Sequence, residues 1–393
     1  MSSDCCSAAS QGPHIGLVGL PGWGGTGVVA ADLAYGLARD HMQVSLFALE
    51  SPTRFRAPDP HLTLCGVDLG DHPAANGLGL YPLALAGKIL QRSRDQPIDV
   101  LHLHYAVPHV AAAVLVKQAL GQDSPKVILT FHGTDATDLA ADPRYQPLLR
   151  SGVLAMDFCT GPSRALCEIA QNHLQLPKEA ALTVVANGID TDRFCPPPQR
   201  NRQVLRSLFP HADDNSPILL HVSNLRPVKR PQDLAAIAAA VQARIPCRLL
   251  VVGDGPGRAN LEQSLENSPL QGRVAFLGNR ADCVDLLQHA DLLLLPSASE
   301  GFGLAALEAL ACGLPVVASR TCGLPEVVQD GVTGRLHPVG DVAMAAAYIV
   351  DLLVNSAEHA RMSALARRDA VQRFDHQQVV ARWQGIYRSL MAN

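Results

Sequence analysis

Residues 291–313 read D-L-L-L-L-P-S-A-S-E-G-F-G-L-A-A-L-E-A-L-A-C-G, and this stretch decides the fold. The apolar run 292–295 has no polar alternation and reads as a strand buried on both faces. A Ser/Gly loop follows, then segment 304–311, which reads as an amphipathic helix beginning near Gly303. Strand, glycine-bounded loop and helix in that order make one βα unit of a parallel sheet. The first amides of such a helix lack internal partners and carry the positive end of the dipole, so they suit a phosphate. Gly301 and Gly303 let the backbone approach a ligand closely. Glu300 then stands at the mouth of the site, while Glu308, about one turn into the helix, offers two acceptor oxygens to a vicinal diol such as a ribose. Taken alone, the two glutamates equally describe a solvated helix face.

The same alternation extends outward in both directions. Candidate strands are 15–20, 44–49, 100–104, 126–131, 157–160 and 182–185, with helices at 28–39, 109–120 and 163–173. Three prolines at 196–198 cannot lie inside a regular element, and a second series follows: 218–223, 248–252, 274–277, 292–295 and 316–319. The reading is α/β, with two Rossmann-like domains. A tail at 1–13 precedes an N-terminal domain at 14–194 and a C-terminal domain at 195–375. Everything from Asp341 onward reads as helical, and a last helix within 376–393 is expected to pack back on the first domain. Such domains bind ligands at the carboxyl ends of their strands.

With 393 residues, of which 48% are hydrophobic, the chain is long enough for two domains with substantial cores. A net charge of -4 and the lack of a long Lys/Arg run argue against a nucleic-acid partner. No apolar run is long enough for a bilayer, and the first residues lack the basic flank and apolar core of a signal peptide, so no membrane insertion and a cytoplasmic location are expected. The ten cysteines are scattered without paired metal-ligand spacing and read mostly as small buried hydrophobes, with Cys5 and Cys6 in the polar tail.

The N-terminal loop Gly22-Trp23-Gly24-Gly25-Thr26-Gly27, with Glu50 after the second strand, matches the glycine pattern of dinucleotide-binding proteins. A nicotinamide-dependent oxidoreductase would place its pyrophosphate on these glycines and its ribose on Glu50. The same loop serves any anion or sugar at a helix start. In the second domain, Ser223-Asn224-Leu225-Arg226-Pro227-Val228-Lys229-Arg230 precedes a helix. Arg226 and Lys229 at the start of that helix suit a diphosphate, unless they form only a basic surface turn. The turn Gly253-Asp254-Gly255-Pro256 ends another strand and offers a backbone edge to a base.

These motifs, in this order, resemble the retaining glycosyltransferases of family four, over nearly all of the chain from His14 onward. The resemblance implies the GT-B architecture, two Rossmann-like domains with a cleft between them. It implies that Glu308 holds the nucleotide ribose, Glu300 faces the donor sugar, and the stretch Gly301, Phe302, Gly303 and Leu304 offers backbone amides. Gly25, Gly27, Asn224 and Gly253 complete the donor set, Arg226 and Lys229 take the diphosphate, and His132 touches and positions the donor sugar. A histidine merely hydrogen-bonded at a strand end is the bland alternative for His132.

Segments 24–30, 101–109, 131–135 and 221–230 resemble the branch of that family that moves N-acetylglucosamine from UDP-N-acetylglucosamine to the hydroxyl of L-malate, with retention, at the start of bacillithiol synthesis. The inositol 3-phosphate branch of mycothiol synthesis shares the donor half and matches these segments less well. Malate needs cationic and hydroxyl partners, and Thr26, Arg54, Tyr105, Thr134 and Asn187 form the expected acceptor group. Two departures stand out: Gly188 where a bulky aromatic is expected in the malate branch, and Cys322 where a glycine usually precedes Gly323. The stretch 68–81, rich in Gly and Ala, has no assigned role.

No nucleophile and acid/base dyad is apparent, so the family's front-face substitution is the mechanism implied, with the departing diphosphate helping to remove the acceptor proton. No metal and no cofactor are expected. His102 and His104 share a strand face without a completing ligand, and Asp190-Thr191-Asp192 reads as a turn or helix cap. A non-catalytic nucleotide-sugar-binding regulator stands as the other class of reading, and UDP binding without turnover would favour it. A homodimer stands open as the assembly.

Overall fold

The computed structural model describes residues 12–19, 25–49, 59–70, 78–209 and 215–392. Two compact units emerge. The first comprises the chain through Gly161, Cys167–Val184 and Val380 onward; the second comprises Pro162–Leu166 and Val185–Val379. The change of unit falls at 184–185, ten residues before the expected break at 194–195. The polyproline stretch is thus inside the second unit and not its boundary.

In the first unit, β1 (His14–Val18), β2 (Gln43–Ala48), β3 (Leu62–Gly66), β4 (Val100–His104), β5 (Lys126–Thr130), β6 (Phe158–Gly161) and β7 (Thr183–Val184) form one parallel sheet in the order 3-2-1-4-5-6-7. The order reverses between β1 and β4. Strand β3 and the helix Tyr81–Asp95 were not foreseen. Only Leu62 and Cys65 of β3 are buried, so its residues lack the apolar run of the interior strands. The helix Gly25–Arg39 starts three residues earlier than expected, which puts Gly25, Thr26 and Gly27 in its first turn and not in a loop.

In the second unit, β8 (Ile218–Val222), β9 (Arg248–Val252), β10 (Val274–Phe276), β11 (Leu292–Leu295), β12 (Val316–Ser319) and β13 (Gly334–His337) form a second parallel sheet, ordered 10-9-8-11-12-13. It repeats the first sheet's logic, with the reversal between β8 and β11. The quoted tetraleucine is a central strand buried on both faces. Each face has its own apolar cluster: Leu293 and Leu295 join the helix Leu304–Ala311 on one side, while Leu292 and Leu294 join Leu234 and Ile349 on the other. Fully burying each leucine contributes roughly 1.5–3 kcal/mol. The helix Leu304–Ala311 is not amphipathic as expected; Ala306 through Ala311 are all buried, Glu308 among them.

Three helices close the chain, Val342–Val354, Ser356–Phe374 and His376–Ala392. From Val380 the last of them belongs to the first unit, where Trp383 and Tyr387 are buried against His102 of β4. Among the described residues, no helix is long and apolar enough to cross a membrane.

Candidate active site

The carboxyl ends of β8 and β11 flank the second sheet's topological switch point, where open parallel sheets bind ligands. The loops leaving these two strands hold most of the predicted donor residues. They are joined by a backbone bond from Ala298 N–H to the Val228 carbonyl at 2.7 Å. Lys229 Nζ donates to Glu300 Oε1 at 2.6 Å, and Ser297 Oγ donates to the same oxygen at 2.9 Å. Both charged side chains are largely buried, at 18% and 14% exposure, so the pair is screened by water far less than a surface pair. Sequence reasoning placed Lys229 and Arg226 at a helix start. Lys229 ends instead the 3₁₀ turn Pro227–Lys229, Arg226 stands just before that turn, and Arg230, at φ 51°, separates it from the helix Pro231–Gln242. Arg226 is exposed and ion-pairs with no described residue.

Below this pair, Gly303 adopts φ 99°, and a Cβ there would lie 2.7 Å from Leu324 Cδ2, so glycine is required. The first bond of the following helix runs from Leu307 N–H to the Gly303 carbonyl. The amides of Leu304, Ala305 and Ala306 therefore have no intrahelical partner and carry the positive end of the helix dipole. Phe302 packs its ring edge-on against Phe374 in the core, leaving its backbone as the group facing the loop. Gly301 lies beside Gly323, where a Cβ would stand 2.3 Å from the Gly301 carbonyl oxygen. Cys322, at φ 44°, occupies the left-handed region, which is the physical reason a glycine is expected there. Glu308 is 6% exposed.

On the other side of the switch point, Asn224 is exposed in the β8 loop. Gly253 follows β9 at φ 112°, where a Cβ would lie 1.7 Å from the Ser223 carbonyl oxygen. His221, which sequence reasoning passed over, braces this edge. Its Nδ1 donates to the Leu294 carbonyl and its Nε2 accepts from Ser223 Oγ, both at 2.8 Å. Burial lowers its pKa to about 4, so the ring is neutral.

In the first unit, Tyr105 follows β4 and His132, Thr134 and Asp135 follow β5. The Tyr105 and Thr134 hydroxyls are 2.5 Å apart, and Tyr105 holds φ 89°. Asp135 is fully buried and accepts backbone N–H bonds from Ala106, His132, Gly133 and Ala136 at 2.8–3.2 Å, which pins the two loops together. Burial pushes its carboxyl up to about 6 against the pull of those donors. His132 Nε2 lies 3.1 Å from His104 Nδ1, and burial lowers the His132 pKa to about 3. Thr26 is half-buried in the first helix turn, Gly25 exposed and Gly27 buried. Arg54, Glu50 and Gly22 to Gly24 lie outside the described residues.

Asn187 is buried in the second unit, just before Ile189, which bridges to Asp375. A Cβ on Gly188 would meet His376 Cα and Val379 Cβ at 3.1 Å, so any side chain here presses on the start of the last helix. Asp190 Oδ1 accepts from Arg193 N–H at 3.1 Å and Thr191 Oγ1 donates to Asp375 at 2.6 Å, so this motif is a capped turn. Among the described residues, no group of three or more His, Cys, Asp or Glu side chains could hold a metal ion.

A family model described as Glycosyltransferase Family 4 matches residues 23–193, and one described as Glycosyl transferases group 1 matches 209–369. The N-acetyl-alpha-D-glucosaminyl L-malate synthase of Bacillus anthracis is 34% identical over 373 residues, covering 95% of this chain and 96% of that one. The chain belongs to the family-four glycosyltransferases. This removes the oxidoreductase reading of the N-terminal glycines. The D-inositol 3-phosphate glycosyltransferase of Mycobacterium sp. strain JLS is 38% identical to the glycosyltransferase over 202 residues, covering 49% of this chain and 42% of its own. Among solved structures, sucrose-phosphate synthase from Thermosynechococcus elongatus aligns with TM-score 0.80 at 22% identity, covering 97% and 99% of the two chains. The Anabaena protein HepE, solved with UDP and glucose, aligns with TM-score 0.78 at 22% identity, covering 96% and 100%. The glycosyltransferase has the GT-B architecture of two Rossmann-like α/β domains and acts as a hexosyltransferase.

Proposed function

We propose that this glycosyltransferase transfers N-acetylglucosamine from UDP-N-acetylglucosamine to the hydroxyl of L-malate with retention, the first step of bacillithiol synthesis. The observation that carries the reading is the likeness to the malate synthase along 95% of the chain, the N-terminal unit included, whereas the inositol 3-phosphate match covers 49%. The N-terminal unit is where this reading puts the acceptor.

In the reaction, the bond from the anomeric carbon to the diphosphate oxygen breaks as the bond to the malate hydroxyl oxygen forms on the same face. The hydroxyl proton passes to the departing diphosphate, giving UDP and N-acetylglucosaminyl-malate. Arg226, Lys229 and the amides of Gly301 to Leu304 stabilise the leaving charge, which is electrostatic catalysis. Glu308 takes the ribose hydroxyls, Glu300 faces the donor sugar, His132 positions that sugar, and Gly25, Gly27, Asn224 and Gly253 line the donor. Thr26, Arg54, Tyr105, Thr134 and Asn187 hold malate. The 2.6 Å Lys229–Glu300 bond supports this arrangement, because it holds a cation and an acceptor together at the switch point. A cytoplasmic location belongs to the same reading, since both substrates are intracellular metabolites, and a homodimer is its assembly to be checked by light scattering.

The test is mass-spectrometric detection of product from UDP-N-acetylglucosamine and L-malate, with inositol 3-phosphate and acceptor-free arms alongside. N-acetylglucosaminyl-malate that disappears in Glu300→Gln is the expected result. Release of UDP with inositol 3-phosphate alone would replace malate as acceptor, and UDP binding without turnover in any arm would make the protein a regulator.

A further inference from the structure

His104 is almost fully buried, at 1% exposure, and only one of its ring nitrogens has a partner. Its Nδ1 is 3.1 Å from His132 Nε2, while its own Nε2 is hydrogen-bonded to no described residue. The three histidines form a column. The His132 and His104 rings stack at 5.2 Å, and His104 and His102 lie 4.2 Å apart. His102 is fixed at both nitrogens, by the Tyr387 hydroxyl at 2.8 Å and the Thr130 hydroxyl at 2.7 Å, and Trp383 covers its outer side at 4.4 Å. A half-turn of the His104 ring would put Cδ2 where Nδ1 stands and lose the bond to His132.

Burial lowers the pKa of every ring in the column, so each is neutral and carries a single proton. One hydrogen must sit between His104 Nδ1 and His132 Nε2, and there are two ways to place it. If His132 donates, the proton of His104 is on its Nε2, an N–H buried with no acceptor, and a buried orphan N–H is among the rarest features of folded proteins. If His104 donates, its Nε2 is a bare acceptor, and the proton of His132 is on the opposite nitrogen, Nδ1.

We infer that His104 is a positioning residue that fixes His132 as the Nδ1–H tautomer, so that His132 presents a hydrogen-bond donor and no lone pair to whatever it faces. This rests on the proposed role of His132 beside the donor sugar and sharpens it. A ring that offers only N–H can hold a hydroxyl, carbonyl or phosphate oxygen, yet cannot take the acceptor proton. The proton of the acceptor hydroxyl must then leave on the departing diphosphate, which is the balance of bonds and protons given above. The neighbouring His109 shows the same device carried out by the backbone, its Nδ1 donating to the carbonyls of His104 and Tyr105 at 3.1 and 3.0 Å.

The experiment is a long-range ¹H–¹⁵N correlation spectrum of the full-length protein labelled at histidine, recorded at neutral pH without ligand. His132 is assigned from the resonances lost in His132→Gln. The expected pattern is a pyrrole-type Nδ1 and a pyridine-type Nε2 for His132. His104→Asn keeps an N–H near the position of Nδ1 and retains that pattern, whereas His104→Leu loses it and lowers kcat by roughly three- to tenfold, the factor of one neutral hydrogen bond. A pyrrole-type Nε2 on His132 in the unmodified protein overturns the inference. The spectrum needs no substrate, so an incorrect acceptor or donor in the proposed function leaves this result readable.

Discussion

Acidification should remove stability from the first unit well before its surface carboxylates titrate. Burial lowers His109 from 6.5 to about 4 and His132 from 6.5 to about 3. In the unfolded chain both ionise near their ordinary value, so below about pH 6.5 the unfolded state binds more protons than the native state, and stability falls as pH falls until the folded pKa is reached. At about pH 5 each unfolded ring has gained roughly 1.5 pH units at 1.36 kcal/mol per unit, or about 2 kcal/mol, and the two together about 4 kcal/mol. Asp135 works in the opposite sense. Its folded pKa is raised to about 6, so the native state takes up a proton in this window and recovers about 1 kcal/mol. The net loss is about 3 kcal/mol, to which the buried His102, His104 and His14 add in the same direction. That is a large fraction of a typical domain's stability of roughly 5–15 kcal/mol. With Trp23→Phe as background, Trp383 is the sole tryptophan and packs on His102, so its fluorescence in urea titrations reads this unit. The midpoint should fall between neutral pH and about pH 5, and His109→Asn should flatten the slope by close to one proton. Stability that is level or rising toward acid over that window refutes the reasoning.

In the second unit, Lys229→Ala removes a charge-assisted bond to Glu300 and the proposed contact to the diphosphate. Steady-state kinetics should show kcat/KM for the nucleotide sugar reduced roughly 10- to 100-fold, and a combined Lys229→Ala/Glu300→Gln variant should lose less than the product of the single effects. Cys322→Gly relieves a left-handed backbone at φ 44° and should raise the calorimetric transition of this unit by the equivalent of about 1 kcal/mol. Gly303→Ala, at φ 99° with Leu324 2.7 Å from the new Cβ, should cost roughly 1–3 kcal/mol in the same measurement and weaken UDP binding by calorimetric titration, because the helix start is displaced.

The interior strands were legible because strands buried on both faces are mostly apolar: β5, β8, β9 and β11 each hold three or more apolar residues in a row, while β1 and β4 are as buried yet include Gly16, His102 and His104. The edges were not. β3 buries two of its five residues, and β13 opens with Gly334 and Arg335, so neither carries the signal of its better covered neighbours. The helix Tyr81–Asp95 was hidden by a proline near its first turn and by the Gly-rich stretch before it. Helix Leu304–Ala311 was given the right span and the wrong character. Its alanines and leucines are buried nearly all round, a pattern that a sequence with one glutamate in it imitates poorly.

The site was legible to the extent that its residues are neighbours in sequence. Glu300, Gly301 and Gly303 stand together in the quoted stretch, and their geometry follows from one loop. The contact that organises them joins residues 71 positions apart, and nothing in the spacing of Lys229 and Glu300 announces it. It arises because β8 and β11 are adjacent in the sheet although two strands intervene in the chain, which is the reversal of strand order at the switch point. The first sheet repeats this arrangement between β1 and β4; Gly25, Thr26 and Gly27 follow β1, while Tyr105, His132 and Thr134 sit on the loops after β4 and β5, where Asp135 ties the loops by four backbone bonds. A carboxylate buried for that purpose would cost several kcal/mol without those donors. Its place in His132-Gly133-Thr134-Asp135 is therefore structural, fixing the loop that carries His132 and Thr134.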